Sequence, residues 1–179
     1  MIDWKFALST GTTLSRPGPE LGAAEAADVV AELREASRAA EAPVREFTGL
    51  VPAHPSPVLV VDRPRWIEAN LDSFRIVMDP LTTKLAEAGQ NSGRMATAVG
   101  TRVAGAELGA LMAFMSGKVL GQFDPFTADG RLLLVAPNIV HVERELDVDP
   151  QDFRLWVCLH EETHRAQFTA QPWTRDHPA

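Results

Sequence analysis

WVCLHEETHRAQF, residues 156–168, holds two histidines four positions apart, with a glutamate directly after the first. The reading of the whole chain turns on whether this stretch is a helix. DVDPQDF just before it answers that: Asp149 is a natural cap, Pro150 suits the first helical position, and Asp152 falls in the first turn, where the helix dipole favours negative charge. A helix from about Pro150 to Thr169, ending before Pro172, is therefore predicted. At roughly 100° per residue, His160 and His164 stand one turn apart and only about 40° apart around the axis, so both imidazoles can reach one ion. Glu161 lies about 60° from His164 on the same wheel, beside such an ion without ligating it.

That pattern suits zinc chemistry. A catalytic zinc takes three protein ligands and leaves a position for water, and an adjacent carboxylate can take the water's proton before attack on a carbonyl. His160 and His164 are the candidate ligands and Glu161 the candidate base. Phe153, Trp156, Val157, Gln167 and Phe168 share the broad face of the histidines, so that face is expected to be buried, with Glu162 on the solvent side. Cys158, about 200° from His160, faces away and reads as a small buried hydrophobe. The alternative is a polar patch on a core helix with no metal.

The segments before the motif read as mostly helical. The stretch from Leu21, rich in Ala, Glu, Leu and Arg, forms a helix interrupted at Pro43, with Ala26, Val29, Val30 and Leu33 on its buried face. VPAHPSPVLVVDRP is a proline-rich connector with a short strand at Val58 to Val61, and His54 is an exposed loop residue. Trp66, Ile67, Leu71, Phe74, Val77, Met78, Leu81 and Leu85 mark an amphipathic helix facing a core, which Pro80 kinks or restarts with Asp79 as cap. GQNSG (89–93) is a turn. Residues 95–120 form a helix in which Gly100, Gly105 and Gly109 allow another helix to approach closely. GQFDPFTADG reads as loop, RLLLVAP as a strand and NIVHVEREL as a short helix.

The bulk properties narrow the function. The 179 residues carry 17 basic and 24 acidic side chains, a formal charge of -7 with no basic stripe, which argues against nucleic acid. One cysteine forms no internal disulfide, and the N-terminus lacks the build of a secretion signal, so a cytoplasmic location is expected. Arg102, Glu107 and Lys118 interrupt the most apolar segment, which excludes a bilayer crossing there. A single domain over 1–179 is the expectation from length.

With APNIVHVERELDVDPQDF, GALMAFMSGKVLGQFDPF and VDRPRWIEANLDSFRIVMDPL alongside the motif, the chain resembles the zincin-like metallopeptidase type 2 family of actinobacteria, often labelled coenzyme F420 biosynthesis-associated. The resemblance runs essentially end to end. It implies a mainly α (α+β) zincin-like helical domain with a short strand region before the HExxH helix, Zn2+ on His160 and His164, and Glu161 as catalytic base, with the substrate undefined. Members of the family are longer, which implies a third, acidic ligand further along and makes this chain the N-terminal portion of such a domain, incomplete at its C-terminus.

Among local substitutes for that ligand, Ala170 occupies the third-histidine position of the metzincin spacing and excludes it. Asp176 and His177 in the tail, and His141 and Glu143 on the preceding element, stay as alternatives. Zincin-type enzymes align an extended peptide along an edge strand, and residues 131–136 are the strand nearest the motif in sequence. Three functional readings follow. The first is a zinc-dependent peptidase or amide hydrolase acting on an undefined peptide or protein. The second is a non-catalytic truncated pseudoenzyme or partner-binding helical module, open to self-association through an uncovered apolar face. The third, an enzyme of F420 assembly itself, has no phosphate-binding glycine loop to support it.

Overall fold

A computed structural model describes residues 2–52, 55–87 and 94–170. Among them the chain runs α1 (Trp4–Leu14), α2 (Ala23–Thr48), β1 (Val58–Val61), α3 (Arg63–Glu87), α4 (Arg94–Ser116), β2 (Gly121–Asp124), β3 (Arg131–Val135), α5 (Ala136–Leu146) and α6 (Pro150–Ala170). This is a mainly helical α+β fold with one small sheet, as the sequence predicts. The chain divides into two compact units: Met1–Pro17 with Arg63–Lys118, and Gly18–Asp62 with Val119–Ala179.

The first unit packs α1, α3 and α4. Asp3 caps α1 by accepting from the Phe6 N–H at 3.0 Å. The small residues of α4 do what their spacing suggests at two of three positions. A Cβ on Gly109 would stand 2.4 Å from the Ala7 carbonyl oxygen, and one on Gly105 would stand 2.7 Å from that of Asp3, so α1 lies directly on this stripe. Gly100 meets nothing within 4 Å among the described residues.

On α3 the expected core face holds only in its first half. Trp66, Ile67 and Leu71 are buried, whereas Phe74, Val77 and Leu81 are exposed. An eleven-residue α1 cannot cover the twenty-five residues of α3. Pro80 starts no new helix: α3 continues through it, and Asp79 pairs with Arg75 at 3.5 Å instead of capping.

The second unit wraps α2, α5 and α6 around a three-stranded sheet of order β1-β3-β2. β1 runs parallel to β3, with Val58 opposite Leu132 and Val61 opposite Val135, and β2 runs antiparallel, with Gly121 opposite Leu134. β3 is therefore the central strand, and its near-continuous burial matches its apolar run. The idea that residues 131–136 present an edge to a peptide is overturned, because both edges of β3 are paired. GQFD, read as loop, is the strand β2; a four-residue strand that begins with Gly, ends with Asp and is followed by Pro leaves no periodicity to detect.

Val29, Leu33, Ala40, Leu134, Ile139, Val140, Val157 and Cys158 form the core cluster of this unit. α2 does not stop at Pro43 but runs to Thr48. Proline in a helix interior costs about 3 kcal/mol, and here Ala40 and Val44, buried on either side of it, hold both halves against the unit.

Gly109→Ala is expected to destabilise the protein by about 1–3 kcal/mol, since its methyl meets fixed backbone. Gly100→Ala should be neutral or stabilising by up to about 1 kcal/mol from helix propensity. Urea unfolding of both variants checks the contrast; equal effects would contradict the α1–α4 contact.

Candidate metal centre

The motif lies in α6, and the start of that helix is built as its sequence suggests. Asp149 Oδ1 accepts from the backbone N–H groups of Gln151 at 2.9 Å and Asp152 at 3.1 Å, and the Asp149 carbonyl accepts from Phe153 N–H at 3.0 Å. The inward face of α6 is Arg154, Val157, Cys158, Glu161, Glu162, Arg165, Ala166 and Thr169. Two arginine clusters flank its apolar centre. Arg154 donates to both Glu143 oxygens, at 3.0 and 2.6 Å, and also pairs with Glu32. Arg165 donates to both Glu162 oxygens, at 2.6 and 2.9 Å, to Glu41 at 2.8 Å and to the Ser56 carbonyl at 3.2 Å. Burial opposes the charge on each guanidinium, but the surrounding carboxylates outweigh it and hold both above the ordinary arginine value.

These clusters correct two expectations. Glu162 is not a solvent-facing charge: it is 2 % exposed and held by Arg165. Nor is the histidine face buried, since His160 and Phe168 are exposed and Trp156 is 58 % exposed. An amphipathic wheel assigns charges to water and aromatics to the core. In α6 the acids and arginines neutralise one another inside, and the aromatic residues are displaced outward. Cys158 is buried as expected, 3.8 Å from the Leu33 carbonyl oxygen, with burial pushing its thiol up to about 12.

His160 and His164 converge. Their Nε2 atoms are 3.3 Å apart, and the rings meet edge to face with centroids at 4.8 Å. Tetrahedral zinc holding imidazole nitrogens at about 2.0 to 2.1 Å requires those nitrogens to be about 3.3 to 3.4 Å apart, so the pair has the right bite for that ion. Trp156 stacks on His160 at 6.0 Å, and Phe153 stacks on Trp156 at the same spacing.

Glu161 belongs to the inward face of the helix and is 6 % exposed. Among the described residues no hydrogen bond or ion pair engages its carboxyl, and burial pushes it up to about 7. Its carboxyl packs on the backbone of β2: a Cβ at Gly121 would lie 2.5 Å from Glu161 Cγ and 2.8 Å from Oε1. Gly121 therefore belongs to the site, and sequence reasoning missed it because its role depends on a strand that pairs only in the folded sheet.

No group of three or more His, Cys, Asp and Glu residues able to hold a metal gathers among the described residues. His141 lies 3.7 Å from Glu145 on the exposed side of α5, and Glu143 is committed to Arg154, so neither joins the pair. Asp176, His177 and His54 lie outside the described residues.

The position of Glu161 makes stability depend on pH. Raised from 4.5 to about 7, its carboxyl binds a proton more tightly folded than unfolded. Its contribution is therefore complete below about 4.5 and is lost as pH rises through about 7. Glu161→Gln, which cannot ionise, should gain stability relative to wild type between pH 4.5 and 7.5, by on the order of 3 kcal/mol with chelator present. Urea denaturation at the two pH values measures this, and a difference that stays flat would contradict the buried carboxyl.

Comparison with known proteins places the chain in a family. No curated protein matches the chain. Among solved structures, the chain is similar to a protein from Chloroflexus aurantiacus described as a candidate hydrolase with a novel fold, with 30% identity and a TM-score of 0.76. The match covers 98% of this chain and 56% of that one, so this chain spans little more than half the length of its structural relative. The model of the zincin-like metallopeptidase family matches residues 2–178, and the chain belongs to that family.

Proposed function

We propose that the second unit carries the water-activating part of a zinc-dependent hydrolase acting on peptide or amide bonds, with His160 and His164 as metal ligands and Glu161 as general base. The observation that carries this reading is the 3.3 Å separation of the two Nε2 atoms on an accessible helix face. When bound, zinc supplies Lewis acidity, lowering the pKa of water toward neutrality and polarising a carbonyl. The chain's own residues supply the rest. Glu161, following His160 directly and buried beside Gly121, is poised to accept a proton from water and to pass it to the departing amine. Its isolation from other described polar groups keeps the carboxyl available for that transfer. β2, at the edge of the sheet order and in contact with α6, is the strand best placed to run beside an extended substrate.

One observation favours a second reading, a non-catalytic module that retains the motif: the described residues provide two ligands where a catalytic zinc uses three. The two readings part at hydrolysis, not at metal binding. Among the described residues no helix is long and apolar enough to cross a membrane.

Protein purified without chelator should contain zinc, and a His160→Ala, His164→Ala double variant should not; equal zinc content by mass spectrometry would remove the metal role. Screened against a peptide library, Glu161→Gln should lose at least about 100-fold in turnover while keeping its zinc. Unchanged turnover would exclude Glu161 as the base.

A further inference from the structure

We infer that Trp156 is a positioning residue of the metal centre, the middle of an aromatic ladder that fixes the His160 ring; this rests on the zinc reading above. Trp156 is a large apolar side chain left 58 % exposed on a helix whose inward face is fully occupied. Its contacts explain what it does there. Its ring lies nearly parallel to that of His160, at 6.0 Å and 21°, and nearly parallel on its other side to that of Phe153, at 6.0 Å and 20°. Both spacings fall within the range in which aromatic pairs attract beyond simple burial. Phe153 is half-buried and packs against the core cluster of the unit, which anchors the ladder at its base. The series ends where the His160 ring meets His164 at 87°, with the two Nε2 atoms 3.3 Å apart.

An exposed imidazole on a helix has several rotamers, and a metal that must select one of them binds less tightly. Among the described residues His160 has no hydrogen bond other than that to His164, and the stacked indole face narrows its choice. Second-layer groups that orient metal-bound histidines are ordinarily hydrogen-bond acceptors whose loss costs about 10- to 100-fold in affinity. Stacking is weaker, so the expected effect lies at or below the lower end of that range.

Zinc titrations of the full chain by calorimetry test this with Zn2+ alone as probe. Trp156→Ala is expected to bind zinc about 3- to 10-fold more weakly than wild type, and Trp156→Phe, which retains a stacking ring, to remain within about twofold. Because the indole is largely exposed, the zinc-free unfolding midpoints of both variants should match that of wild type. Trp156→Ala binding within about twofold of wild type would overturn the positioning role while leaving the histidine site intact. Trp156→Phe as weak as the alanine variant would also overturn it, since a ring alone would not suffice. If wild type binds zinc no better than the double histidine variant, the metal reading itself falls, and this assignment with it.

Discussion

The rotation of α6 about its own axis is the constraint on which the site depends. Two buried arginines set it. Arg154 is clamped by carboxylates from α5 and α2, and Arg165 by one from α2 and one from its own helix, with a backbone carbonyl beside it. Buried ion pairs contribute little net stability against well-packed apolar residues, but breaking one by removing a single partner costs several kcal/mol. A rotation of α6 would break both clusters together. With the helix held in this way, positions 160 and 164 point away from the core, and their imidazoles are free to meet each other.

The same rotation gives Glu161 its character. On the inward face, directly after His160 in the chain, it is buried against β2, and that burial pushes its carboxyl up to about 7. The bare backbone of Gly121 makes the space it occupies. Thus three neighbouring residues of one helix receive different treatment: His160 is exposed and stacked, Glu161 is buried and unpaired among the described residues, and Glu162 is buried and paired.

Much of this was legible in the sequence, for identifiable reasons. Local signals with a direct mechanism transferred well: the Asp149 cap, Pro150 at the helix start, the apolar run of β3, the small residues Gly105 and Gly109, and the four-residue spacing of the histidines. Arguments from polarity alone transferred poorly. They placed Glu162 in water and the aromatic residues in the core, the reverse of what pairing with Arg165 and Arg154 produces. The proline argument that interrupted α2 at Pro43 also failed, because tertiary packing overrides a local penalty there. The central position of β3 and the contact of Gly121 with Glu161 depend on strand pairing between distant segments, which leaves no mark on either segment alone. The family resemblance anticipated the fold, but not the aromatic ladder that ends at His160.

The central claim is that His160 and His164 grip one divalent ion through their Nε2 atoms. Anomalous diffraction from zinc-soaked crystals, collected on both sides of the zinc edge, tests it most directly. The account predicts a single strong peak about 2.0 to 2.1 Å from both Nε2 atoms, beside the Glu161 carboxyl. A peak bound elsewhere, or none, with the two rings still in mutual contact, would contradict it.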